Sequence, residues 1–258
     1  MSQSIIDEMI PPPSLNHVGD GDFKAIGEHF FKFFVELGGL KPQHKVLDVG
    51  CGIGRMAIPL TQYLSGEGRY EGFDIVKSGI DWCNDRITTR YRNFHFKHVD
   101  IVNKTYNATP DHLVATLRGQ RPLQASHYRF PYEDNSFDFV FLTSVFTHML
   151  PAEVENYMSE IHRVLKPSGR SLITYFLLNE ESVALVDAGK AHLKIPHVFD
   201  NCRVQSLERP EDVIAYDEGF VRRLYREHGF RIDGFHYGAW CGRTEHVSAQ
   251  DMVVATRV

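Results

Sequence analysis

Apolar residues along this chain follow two rhythms that take turns. Phe23, Ile26, Phe30, Phe33, Phe34 and Leu37 recur every three or four positions, which predicts a helix with one buried side. Asp20 or Asp22 is available to cap its start, Gly38-Gly39 stops it, and Pro42 keeps it stopped. Residues 46–49 form a short apolar run suited to a buried strand. Three glycines follow, then Met56, Ala57, Ile58, Leu60 and Leu64 at helical spacing. Pro59 lies too deep for a first turn, so this helix is expected to kink or to stay short. Strands at 69–75, 93–99, 139–143 and 170–176 then alternate with two helices. One, over 78–91, turns Ile80, Cys83, Ile87 and Tyr91 inward; the other, opened by Pro151, turns Val154, Tyr157, Met158, Ile161 and Leu165 inward. Asp217 caps a last helix through Phe220, Leu224 and Tyr225, closed by Gly229, and 230–240 with 251–257 reads as a final pair of strands. The expectation is one α/β domain over 1–258.

Three regions stand outside that alternation. A Pro-Pro-Pro run and a Gly-Asp-Gly cluster make the first 21 residues an irregular arm, which with the first helix occupies 1–40. The aromatics of that helix are core packing or a lid. Residues 102–128 (with Tyr106, His112, Arg118, Arg121, His127 and Tyr128) and 179–216 (with His192, His197 and Tyr216) read as insertions. Long loops in compact domains tend to be functional, so a substrate-side flap and an inert excursion both stand for the first.

Composition narrows the class. A chain of 258 residues, 43% hydrophobic and 24% charged, can bury one large core and is typical of soluble globular proteins. A formal net charge of −5 argues against nucleic acid as the main partner. Cys51, Cys83, Cys202 and Cys241 are too scattered for a zinc site or a disulfide framework. Cys51, inside the glycine turn, is a reactive thiol or simply a small residue that fits. Neither a signal peptide nor a membrane span is visible, and a cytoplasmic location is expected.

The glycine turn is where chemistry enters. Strand, glycines and helix in direct succession let a backbone approach a ligand closely, because glycine lacks a Cβ and tolerates positive φ. The helix start would then offer N–H groups and partial positive charge to an anion. The spacing at Gly50, Gly52 and Gly54 is Gly-x-Gly-x-Gly, not the Gly-x-Gly-x-x-Gly of dinucleotide sites, which disfavours a nicotinamide dehydrogenase. Asp74 falls 20 residues after Gly54, at the end of the second strand, where a carboxylate can hold ribose hydroxyls or cap the next helix. Asp100 ends the third strand and alone would be a turn residue.

The run Val46-Leu47-Asp48-Val49-Gly50-Cys51-Gly52-Ile53-Gly54-Arg55 resembles motif I of the class I S-adenosylmethionine (SAM)-dependent methyltransferases. Agreement continues over 46–100 and 130–174, including Val-Leu-Lys-Pro-Ser-Gly-Arg at 164–170. The resemblance implies a Rossmann-like, doubly wound, seven-stranded and mostly parallel sheet with an antiparallel last strand, helices on both faces and insertions forming a lid. It implies SAM as cofactor and S-adenosylhomocysteine as product. Gly50, Cys51, Gly52 and Gly54 would let the main chain approach SAM, with Asp48 near its amino end and the helix start facing its carboxylate. Asp74 and Ile75 would serve the ribose, Asp100 and Ile101 the adenine, and Thr143, Ser144 and Val145 the methionine part.

The expected activity is methyl transfer to a small molecule, at an oxygen. His148 is the candidate base, because the pair His148-Met149 is similar to one in small-molecule O-methyltransferases. It could equally cap the helix opened by Pro151 or line the cavity; His192, His197, His236 and His246 are reserves. Phe235, Tyr237 and Trp240 would help build an apolar acceptor pocket. Alternatives are N- or C-methylation, a protein or RNA acceptor, and a non-catalytic SAM-binding protein. No Asn-Pro-Pro-Tyr type motif is present, and no metal is implied.

Overall fold

The computed structural model describes residues 3–16, 19, 21–101, 103 and 123–258, so Tyr106, His112, Arg118 and Arg121 of the first insertion lie outside the described residues. After a short α1 (Gln3–Asp7), α2 spans Phe23–Glu36. Its start is fixed by Asp22, whose Oδ1 accepts the Ala25 N–H at 2.8 Å. Its end comes at Gly39, whose φ of +68° suits glycine. β1 (Lys45–Val49) leads through the glycine turn into α3 (Ala57–Leu60), a single turn broken by Pro59, as expected. β2 (Arg69–Asp74), α4 (Lys77–Cys83), β3 (Phe94–His98) and β4 (Phe137–Leu142) follow. α4 widens over Asn84–Thr88 into a π-turn, which the periodicity of Ile80, Cys83 and Ile87 does not announce.

α5 (Pro151–Val164) buries Val154, Tyr157, Met158 and Ile161, the predicted stripe. β5 (Leu165–Tyr175) starts earlier than its apolar core suggests. Its pairing with β4 jumps from Leu165 to Arg170, and Ser168 takes φ +64° in the excluded stretch. The second insertion, expected to be irregular, carries β6 (Leu177–Leu178) at its root, then α6 (Glu180–Asp187), β7 (His197–Phe199), β8 (Cys202–Val204) and β9 (Ile214–Asp217). The four short strands form their own sheet in the order β6-β9-β8-β7. Asp217 caps α7 (Glu218–Glu227) through the Phe220 N–H at 2.8 Å, and β10 (Phe230–His236) and β11 (Asp251–Arg257) complete the chain.

The main sheet has seven strands in the order β10-β11-β5-β4-β1-β2-β3. β11 is antiparallel to both neighbours, and the β4–β5, β1–β4, β1–β2 and β2–β3 pairs are parallel. Strand alternation sends Leu47 and Val49 into a core with α5 and α7, and Val46 into a second core with α2, α3 and α4. In the second core Phe34 stacks on Phe141 at 4.2 Å and meets Phe139 edge-on at 5.8 Å. Burying one such ring contributes about 1.5–3 kcal/mol, which makes core packing the role of the α2 aromatics. Because strand order reverses between β1 and β4, the two connections leaving their carboxyl ends part in opposite directions and open a crevice there.

Candidate active site at the carboxyl ends of the strands

A cavity of about 290 Å³ fills that crevice. From β1 and its turn come Val49, Gly50, Cys51, Gly52, Arg55 and Met56; from β2, Phe73, Asp74, Ile75 and Val76. Ile101, Asn103 and Ala125 border the side beyond β3. Thr143, Ser144, Val145, His148, Met149, Glu153 and Tyr157 border the β4 side, and Gly19 of the arm reaches the rim.

The glycines act at different contacts. Gly50 has φ +78°, and a Cβ there would stand 2.4 Å from Val145 Cγ2, so glycine lets the β4 loop close over the turn. A Cβ on Gly54 would strike Cys83 Sγ and Ile87 Cδ1 at 2.9 Å, so this glycine serves helix packing and does not line the cavity. Much of the turn's hydrogen bonding is internal. Gly50 and Cys51 N–H donate to the Phe73 carbonyl at 2.9 and 3.1 Å, Gly54 N–H donates to Cys51 O at 3.0 Å, and Gly52 N–H donates to Asp74 Oδ2 at 2.7 Å. With α3 a single turn, the expectation that a helix start meets an anion here loses its physical basis: one turn carries little dipole.

Asp74 stands where the sequence placed it. Its Oδ1 accepts the Val76 N–H at 2.8 Å, so it orders the strand end rather than capping α4, whose N-cap is Val76. Asp74 borders the cavity, and a carboxylate's roughly four lone-pair sites suit it to ligand hydroxyls. Asp48 is elsewhere. It is fully buried within the sheet layer, accepts the Tyr70 hydroxyl at 2.6 Å through Oδ2, and does not border the cavity. Burial pushes its carboxyl up to about 8, with the Tyr70 hydrogen bond opposing and the Asp74 charge adding. Asp100 is exposed and outside the lining, whereas Ile101 and Ile75 are in it. The Cys51 thiol is buried and pushed far up by that burial, and its Sγ packs where a Cβ on Gly72 would come within 3.0 Å. The small-residue reading therefore holds for Cys51.

On the β4 side Ser144 adopts φ +59°, unusual for a residue with a Cβ. Its N–H donates to Thr174 Oγ1 at 2.7 Å and its hydroxyl to Gln250 Oε1 at 3.0 Å, which hold the strained turn. His148 borders the cavity in a single 3₁₀ turn, and its Nδ1 lies 3.1 Å from the Glu211 carbonyl of the second insertion. Burial lowers its pKa from the ordinary value, against a raising effect of the Glu211 and Asp212 carbonyls. Tyr216 of the same insertion donates its hydroxyl to the Met149 carbonyl. The reserve histidines His192, His197, His236 and His246 do not border the cavity, nor do Phe235, Tyr237 and Trp240. Phe235 and Tyr237 stack on each other beneath Arg222 and Arg243, and Trp240 donates to Asp251 at 2.6 Å and clusters with Ile195 and Ala215 of the second insertion.

Among the lining residues that the sequence reading does not assign to the site are Tyr157, which reads as part of the buried stripe of α5, Glu153, a first-turn helix residue accepting the Leu150 N–H at 2.7 Å, and Arg55, the last residue of the glycine motif. The residues present fit SAM: a strand-end carboxylate for hydroxyls, the apolar pair Ile75 and Ile101 for a purine, and an orphaned cationic atom, Arg55 Nε, buried without a partner. No group of metal-ligating side chains occurs among the described residues, and no helix among them is long and apolar enough to cross a membrane.

Known proteins converge on the same reading. A family model described as a methyltransferase domain matches residues 47–173. Sterol 24-C-methyltransferase erg6 of Schizosaccharomyces pombe is 30% identical over 143 residues, covering 55% of this chain and 29% of that protein. The chain spans 26% to 31% of the length of three curated relatives it matches. Among solved structures, the PH0226 protein of Pyrococcus horikoshii OT3 superposes with a TM-score of 0.62 over 96% of each chain at 18% identity. Burkholderia thailandensis 1,6-didemethyltoxoflavin-N1-methyltransferase, solved with its acceptor and S-adenosylhomocysteine, does so at 0.54 over 92% of this chain and 80% of that one, at 16% identity. At such identities the structures speak for the fold. The family match runs from β1 into β5 and takes in the β1, β2 and β4 ends that border the cavity, and residues 47–173 are a class I S-adenosylmethionine-dependent methyltransferase domain.

Proposed function

We propose that the protein transfers a methyl group from SAM to an oxygen of a small-molecule acceptor, with His148 as general base. The observation that carries this reading is the seating of His148 at the β4 end of the cavity with Nδ1 against the Glu211 carbonyl. A carbonyl can only accept, so Nδ1 holds the proton and the lone pair of the neutral ring is on Nε2. Burial, by lowering the histidine pKa, keeps the ring neutral and basic near pH 7.

When bound, SAM supplies an electrophilic methyl group on a sulfonium. The protein's part is to place the acceptor in line and dry, which can lower a barrier by about 7–11 kcal/mol in favourable cases. Asp74 would hold the ribose hydroxyls, Ile75 and Ile101 would sandwich the adenine, and Gly50, Cys51 and Gly52 would give the backbone its close approach. Thr143, Ser144 and Val145 would flank the methionine chain. The insertion over 179–216 would act on the substrate side by holding the loop that carries His148.

The test is turnover with a pool of phenols and alcohols, read as S-adenosylhomocysteine release. His148→Ala is expected to lower turnover about 10²–10⁴-fold, the span of general-base loss, while S-adenosylhomocysteine affinity stays the same. The wild-type rate should fall only on the acid side, with its midpoint below pH 6.5. An unchanged rate in the variant removes the base. The sterol relative favours a second reading, a carbon acceptor; the position of a labelled methyl group in the product decides between them.

A further inference from the structure

SAM carries a carboxylate, and the one-turn α3 offers it little helix dipole, so a side-chain cation at the cavity is the stronger source of counter-charge. Among the described residues bordering the cavity, Arg55 is the one with a permanent positive charge; Asp74 and Glu153 are acidic and His148 is held neutral by burial. Arg55 is half-buried, its Nε is fully enclosed without a hydrogen-bond partner, and no ion pair to it occurs among the described residues. A guanidinium whose Nε is enclosed without an acceptor carries a desolvation cost, which a bound anion offsets. Burial also lowers its pKa, as expected of a cation lacking a counter-ion.

Its surroundings explain how the charge is kept in reserve. Arg55 borders both the main cavity and a second, apolar one of about 190 Å³ walled by Ile6, Ile10, Phe23 and Phe31. α2 packs so tightly on its backbone that a Cβ on Gly27 would lie 2.6 Å from the Arg55 carbonyl. Lys24 and Glu28 border only the second cavity. The Arg55 backbone is thus held against α2, while the residue also lines the main cavity at the turn that begins at Gly50.

The structure assigns Arg55 as the residue that pairs with the carboxylate of the cofactor's methionine part, in place of a helix N-terminus. This rests on the cofactor reading above. The fork of N–H donors on a guanidinium matches a carboxylate's two oxygens, so it fixes the direction of the methionine chain as well as neutralising it.

The test compares two ligands by isothermal calorimetry: S-adenosylhomocysteine, which has the carboxylate, and 5′-methylthioadenosine, which lacks the amino-acid end. Arg55→Met is expected to weaken S-adenosylhomocysteine about tenfold to a hundredfold and leave 5′-methylthioadenosine within about twofold. Arg55→Lys, which keeps the charge but not the fork, should recover part of the loss. Equal weakening of both ligands would mean that Arg55 only supports the fold, and would overturn the assignment. Unchanged S-adenosylhomocysteine affinity with a raised acceptor KM would hand Arg55 to the acceptor, and overturns it too. Wild-type protein that binds neither ligand would instead sink the cofactor reading itself.

Discussion

Asp48 and Asp74 lie on adjacent strands, close enough that each carboxyl raises the cost of ionising its neighbours. Their fates differ because Asp74 ends its strand, whereas Asp48 shares the inward face with Val46 and meets Tyr70. The folded-state pKa of about 8 lies above the ordinary 3.8, so the folded chain holds a proton that the unfolded chain releases. The associated stability is full below about pH 4 and drains away as pH rises toward 8. Asp48→Asn, neutral throughout, is therefore expected to lose less stability than the wild type between pH 6 and pH 8, by on the order of 2 kcal/mol. Urea titrations at the two pH values measure it, and parallel losses would refute a protonated Asp48. The sequence marked Asp48 as a ligand because its motif carries an acid there. Only the tertiary partner, 22 residues away, shows where it is spent.

Elements with their own punctuation were legible. α2 and α7 carry caps at Asp22 and Asp217, and α5 opens on Pro151, so local chemistry states their limits. The second insertion was not legible, because strands of two to four residues have too few positions to show a period. Their pairing depends on partners far along the chain, such as Leu178 with Asp217. Gly27 was also overlooked: amid aromatics at helical spacing it reads as a gap. Helix propensity alone would favour Gly27→Ala by roughly 1 kcal/mol. The 2.6 Å approach to the Arg55 carbonyl decides the sign the other way. Gly27→Ala is expected to lower the melting temperature and to weaken S-adenosylhomocysteine by displacing Arg55. A more stable variant would show that α2 and the glycine turn have slack between them.

At the scale of the molecule, strand and helix alternated plainly enough to give the α/β class, and the order of motifs gave the sheet. The cavity follows from that order, because it opens where the strand sequence reverses. What the molecule acts on was not written in the same way: His148 and Tyr157 are ordinary residues until the chain folds them to one wall. A ligand that binds only the folded state stabilises it by mass action, about 2.7 kcal/mol at a hundredfold excess over its Kd. S-adenosylhomocysteine should therefore raise the melting temperature with rising concentration, and NAD should not. A flat response to both would deny the crevice its nucleoside.

The small sheet over 177–217 springs from the end of β5 and meets the His148 loop at the Glu211 carbonyl and the Tyr216 hydroxyl. It works as a splint, not a wall. Because Cys202, Val204, Ile214 and Tyr216 of the segment belong to the same buried core as α5 and α7, a replacement has to refill that core as well as bring an acceptor and a donor to these two points. Substitutions there act on the crevice through the placement of His148, since no residue of 177–217 borders the cavity.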